Sequence, residues 1–331
     1  MTFYFVGGED HDFTKVGACT VDTATTAARR TANARCALKV GTSATITDGW
    51  VGSLSQPVSS LWMTARFYPT GSNVSANSEF FSLTDGTVRR LLLRINGSTN
   101  KYELCKRTSA SSTTLLATSS VALTFSVAQK LDVNVTYGTS GSVNVYLDGT
   151  LVISYSGDVT TDSATTLSGF VLGVHTAVSA CYWSEIIAAS EDTRALNLVT
   201  LAPTANGNTY TFDTGNYANV NETVTDDTGL ITSGTAGELA QFTVNASGIT
   251  GTPAIRALCV SARAQKGGSG PQNAKMSVRS GGIDQLGSAV PLPAAMNRAA
   301  YIFPTNPGTG GSWAYSDLTA AGFNIGIRSE N

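Results

Sequence analysis

Short runs of β-branched and aromatic residues recur along this chain, each four to eight residues long and closed by Gly, Asn, Asp or Ser, and text of helical period is almost absent between them. A chain written this way has one economical solution, antiparallel sheets packed face to face. The clearest runs in the first half are residues 60–67, 79–83, 90–95, 102–105, 130–137 and 142–147. The last two alternate polar and apolar residues strictly, so each buries one face and wets the other. Asp85-Gly86, Asn96-Gly97 and Asp148-Gly149 are dipeptides that accept the positive φ of tight hairpin turns. With residues 151–155, 168–173 and 180–189 added, the reading predicts at least nine strands before residue 190.

Residues 201–209 combine Pro203, Gly207 and small polar side chains, and read as a boundary. Beyond it, strands are expected at 210–212, 239–244, 254–264, 274–279 and 300–303, with one short helix over 316–322, capped by Ser316 or Asp317 and ended by Gly322. The expected fold class is all-β: two antiparallel β-sandwich units, residues 1–204 and 205–331.

Composition then removes function classes. Only 13% of the 331 residues are charged, against roughly 25% in average proteins, and 21 basic residues meet 23 acidic ones. That balance lacks the positive excess that nucleic acid demands, so no nucleic-acid partner is expected. No window reaches the roughly 18 consecutive apolar residues of a membrane span, and residues 1–10 lack a basic, apolar leader. The expectation is no membrane insertion, and synthesis and assembly in a cytoplasm. The five cysteines, Cys19, Cys36, Cys105, Cys181 and Cys259, are never closer than seventeen positions, which excludes CxxC motifs. They read as buried thiols, with a Cys19–Cys36 disulfide left open.

Catalytic constellations are sparse. Cleavage of a glycan needs two carboxylates a short distance apart, and no Glu-x-Asp-x-Glu pattern appears in the first half; Glu185 reads as a solvated strand residue, with Glu191, Asp192 and Arg194 beyond it as a local salt-bridge cluster. His175 has no Gly-x-Ser-x-Gly beside it. His11 stands among Glu9, Asp10 and Asp12, and consecutive residues rarely face one point, so a solvated turn is expected there. The glycine-rich stretches 266–270 and 308–312 lack phosphate-loop spacing. No catalytic residue, metal ligand or cofactor is therefore assigned. Trp313, Tyr315 and Tyr217 are the candidate glycan-binding residues, because Trp and Tyr faces suit the apolar faces of sugar rings; core packing is the more common fate of a tryptophan.

Two stretches carry resemblances. The order "VYLDGTLV" (145–152), "FVLGV" (170–174) and "CYWSEIIAASEDTR" (181–194) resembles the concanavalin A-like or laminin-G-like jelly roll over roughly residues 1–200. That sandwich hosts lectins, hydrolases and inert modules alike. The patterns "YANVNE" (217–222), "SARAQKGGSGPQ" (261–272), "VRSGG" (278–282) and "FPTNPGTGGSWAYSDLTAAGFNIGI" (303–327) resemble a domain of tailed-bacteriophage structural proteins. The resemblance implies a non-enzymatic virion component, in the tail tip or fibre or decorating the capsid, with other virion proteins as partners. A carbohydrate-binding or receptor-binding module is the alternative, with a host surface glycan as partner, and a polysaccharide-degrading enzyme comes third. Small, uncharged surface residues and strands with few guarding lysines or prolines add the expectation of a homo-oligomer. Residues 1–12 are a candidate tether to another virion protein.

Overall fold

A computed structural model describes residues 1–24, 33–41, 48–71, 76–108, 112–173, 180–247 and 249–331. His175 lies outside the described residues. The chain separates into two compact units, Met1–Leu198 and Val199–Asn331.

Among the described residues the first unit contains fifteen strands. They begin with β1 (Phe3–Gly7), β2 (Thr14–Val16), β3 (Cys19–Asp22), β4 (Ala37–Val40) and β5 (Gly49–Val58). Next come β6 (Ser60–Thr70), β7 (Ser78–Asp85), β8 (Val88–Ile95), β9 (Lys101–Arg107) and β10 (Thr113–Ala122). The last are β11 (Gln129–Thr136), β12 (Gly141–Leu147), β13 (Thr150–Gly157), β14 (Leu167–Leu172) and β15 (Ala180–Ala189). One antiparallel sheet, sheet A, runs β13-β12-β11-β6-β15-β4-β3, with β1 also on β15. The facing sheet B runs β10-β9-β8-β7-β14-β5-β2. Neighbours such as β6 and β15, or β7 and β14, are far apart in sequence, so the chain crosses repeatedly between sheets in a jelly-roll path. Alternation explains the packing: Leu61, Met63, Ala65 and Phe67 of β6 point inward and are buried, as are Leu131, Val133 and Val135 of β11. Phe67, Phe80 and Trp183 stack between the sheets with centroids 5.4–6.0 Å apart. Each such side chain contributes roughly 2 kcal/mol by burial alone.

Two local expectations change and one open question closes. Residues 1–12 are not a free tether: β1 is part of sheet A, Phe5 is 1% exposed, and Met1 and Thr2 are held by Glu191 and Ser190. Asp148-Gly149 forms the two-residue turn, with φ of 48° and 81°. Asn96-Gly97 does not, because the Asn96 side chain accepts from the amides of Ser98 and Thr99 and the reversal is completed by Asn100 at φ 56°. All five cysteines are free thiols, which settles the Cys19–Cys36 pair. The Cys19 thiol bonds the Val16 carbonyl at 3.3 Å, and burial pushes it up to about 11.

The second unit contains β16 (Pro203–Tyr210), β17 (Leu239–Val244), β18 (Leu258–Ala264), β19 (Asn273–Ser280), β20 (Ile283–Leu286), β21 (Val290–Pro291), β22 (Asn297–Phe303) and β23 (Asn324–Glu330). A sheet ordered β16-β17-β23-β19-β20, with β21 on β19, faces a two-stranded antiparallel sheet, β18–β22. Met276, Val278, Phe303, Trp313 and Phe323 form the core between them. Residues 203–209, expected as a linker, are strand; β16 is an edge strand and Pro203 its first residue, the position where a missing N–H costs nothing. The expected helix is α1 (Tyr315–Thr319), with different ends: Ala314, not Ser316 or Asp317, is the N-cap, Ala320 the C-cap, and the Asp317 carboxylate accepts from the Ala314 amide at 2.8 Å.

Candidate functional site

On β6 the residues between the buried ones, Trp62, Thr64, Arg66 and Tyr68, face away from the core. Antiparallel register sets their neighbours: Arg66 stands opposite Lys130 on β11 and Ser184 on β15, and Thr64 opposite Asp132 on β11. Between Ser184 and Ile187 the pairing slips, and Glu185 adopts φ 56°, in the left-handed region. For a residue with a Cβ that conformation costs roughly 1 kcal/mol. Glu185, expected to be solvated, is 7% exposed at this slip. Glu185 joins Asn33, Thr64, Arg66, Lys130 and Asn197 around a pocket of about 70 Å³.

Residues 190–198 cross this face as a strap. Lys130 Nζ donates to the carbonyls of Arg194 and Leu196, both at 2.8 Å. Thr64 Oγ1 lies 2.6 Å from Thr193 Oγ1 and donates to Asp132 Oδ1 at 2.5 Å. Asp132 is fully buried, and burial pushes its carboxyl above the usual carboxylate range against the pull of the Thr64 bond and Lys130. The Arg194 guanidinium, held by Asp192 at 2.6 Å, lies 4.4 Å above Tyr146 and 5.1 Å above Trp62, whose rings stack on each other at 25°. Arg66 forms no hydrogen bond or ion pair among the described residues, and its Nε is enclosed without an acceptor. The Ser184 hydroxyl beside it is fully buried, also without a partner.

A second cluster lies at Glu9. The solvated turn expected there is buried: Glu9 is 2% and Asp12 5% exposed. Gly7 has no side chain because a Cβ would meet Asp12 at 2.8 Å, and this close approach lets Asp12 Oδ2 accept from the Gly8 amide at 3.0 Å. Arg35 bonds Glu9 Oε2 at 3.2 Å and His11 lies 3.6 Å from the same oxygen, while Oε1 has no hydrogen-bond partner among the described residues. Burial raises the Glu9 carboxyl to about 7, with Arg35 and then His11 opposing. Among the described residues no three His, Cys, Asp or Glu side chains are placed to hold a metal ion.

The residues proposed from sequence for glycan stacking all fall in the second unit. Trp313 is 3% exposed, packs edge-on against Phe323 and donates Nε1–H to the Phe303 carbonyl at 2.9 Å, so its faces are core. Tyr315 is half-buried and its hydroxyl donates to the Ala246 carbonyl at 3.3 Å. Tyr217 is half-buried in a short 3-10 turn, and its amide donates to Asn206 Oδ1. No ring contact joins the three among the described residues. Arg66 and Lys130 were missed, although both hold outward parity in runs the sequence marks as strands.

No family model matches the sequence, and no curated protein matches it. Similar solved structures include the endo-β-1,4-glucuronan lyase of the fungus Trichoderma reesei, at 11% identity over 57% of this chain and 96% of that one, with a TM-score of 0.42. The carbohydrate-binding module CBM66 from Bacillus subtilis is 12% identical over 54% of this chain and 96% of that one, with a TM-score of 0.36. The globular domain of T. cruzi calreticulin is 10% identical over 58% and 89%, with a TM-score of 0.42. At these identities and scores the likeness carries no functional argument.

Proposed function

We propose that the chain is a non-enzymatic structural protein of a tailed-phage virion, assembled in the host cytoplasm, whose first unit contacts a host-surface glycan through the outer face of sheet A. The carrying observation is the pocket itself: among the described residues two cations and two amides surround a single carboxylate, Glu185. That donor set suits hydrogen bonding to a saccharide, whereas glycoside cleavage requires a second carboxylate. The virion assignment is supported by the motifs of residues 217–327. Association with other virion proteins or with further copies of the chain is supported by β10 and β13, sheet edges that carry no charged residue and no proline.

Gold-labelled antibody against the chain, applied to purified particles, tests the virion reading: label at the head, tail or tip is expected, and unlabelled particles overturn it. Incubation with host surface polysaccharide tests the absence of catalysis. No new reducing ends or unsaturated products are expected, and product formation abolished by Glu185→Gln refutes the non-enzymatic reading.

A further inference from the structure

Arg66 and Lys130 face each other across neighbouring strands on one sheet face. Like charges in that position repel, and folded proteins ordinarily place a carboxylate between them. Here the compensation is incomplete. Lys130 donates to two backbone carbonyls, which carry no net charge. Arg66 has no partner among the described residues, and the residue across from it on β15 offers none, since the Ser184 hydroxyl is itself unbonded. Asp132 points its bonded oxygen at Thr64. Among the described residues lining the pocket Glu185 is the one carboxylate, beside Arg66 and Lys130. A cation with an enclosed Nε and no acceptor is expensive unless an anion arrives to meet it.

We propose that this pocket receives the carboxylate of an acidic saccharide, with the Arg66 guanidinium as its bidentate partner and Lys130 as the second positive charge. The proposal rests on the glycan-contact reading above and deepens it by naming the sugar class. A guanidinium matches two carboxylate oxygens at once, and a pocket of about 70 Å³ admits such a group while the rest of the sugar stays on the sheet face.

The full chain and its Arg66→Ala and Arg66→Lys variants are applied to a glycan array carrying uronate- and sialate-bearing glycans beside neutral ones. Binding concentrated on the acidic glycans is expected. It should weaken about tenfold or more in Arg66→Ala and less in Arg66→Lys, which keeps the charge and loses the fork. It should also fall at high salt. Far-UV circular dichroism and melting of both variants matching the parent exclude unfolding as the cause. Acidic binding unchanged in Arg66→Ala overturns the proposal. Binding to neutral glycans alone overturns it while leaving the glycan-contact reading intact, and no binding to any glycan removes both.

Discussion

The two outer faces of the first sandwich carry arginines in similar strand positions and treat them in opposite ways. On sheet B, Glu79 is shared by Arg89, at 3.1 Å, and Arg107, while Glu103 accepts from Arg94 at 2.6 Å and from Asn96 at 2.8 Å. Each of these carboxylates answers the charge beside it. On sheet A, Arg66 is left open beside Lys130. An arginine's residue type and parity do not reveal its role; its partners do. On sheet B each arginine meets a carboxylate; on sheet A Arg66 meets none among the described residues.

The largest effect should come from breaking the sheet B pairs. Glu79→Gln leaves two mostly buried guanidinium groups without their shared counter-charge, a loss of about 3 kcal/mol. Thermal unfolding should show the first unit melting roughly 10 °C lower. A shift below about 2 °C would mean that the network adds little and that the contrast between faces is superficial.

Glu9 sits between the two cases, with one arginine and one oxygen that has no hydrogen-bond partner among the described residues. Its carboxyl is raised from 4.5 to about 7 in the folded chain. Between those values the folded state holds a proton that the unfolded chain has released, so stability is full below pH 4.5 and falls as pH rises toward 7, by about 3 kcal/mol. Denaturant titrations across that range should show the decline, and Glu9→Gln should flatten it. An unchanged slope in the variant would assign the pH dependence to another group.

Smaller effects sharpen the sheet A side. Arg194→Ala removes a cation from above Tyr146 and Trp62 and should cost about 1 kcal/mol or less. Tryptophan fluorescence should report greater solvent access to Trp62. Smallest of all, Arg66→Ala should leave stability within about 0.5 kcal/mol; a large loss would show that the residue supports the fold.

Strict alternation made β11 and β12 legible, and with them the outward parity of Lys130. What sequence could not carry was register. Arg66 meets Lys130 and Ser184 only because β6 lies between β11 and β15, and that pairing joins segments more than sixty residues apart. Glu185 was misjudged for the same reason, since a bulge is a slip in pairing and leaves no mark in the residue pattern. The strands missed by pattern, such as β5, where Gly and Pro interrupt Trp50, Val51 and Val58, and β10, where Ser and Ala separate its Thr and Val residues, lack the unbroken or alternating runs that announce a strand. Trp313 looked like a ligand platform because it sits among glycines, and proved to be core because the chain folds it onto Phe303 and Phe323.

The pairing of β1 with β15 has a kinetic meaning. Phe3 lies opposite Ala189, so the first strand of the unit takes its ladder partner from the last. During synthesis the opening residues must wait, unpaired, until nearly the whole sandwich has left the ribosome, and long-range closures of this kind slow folding. Once made, the closure joins both ends of the unit in one ladder, so truncation at either end withdraws a partner from the other. Fragments ending before residue 180 should therefore emerge with β1 exposed and prone to aggregate, however complete their remaining strands.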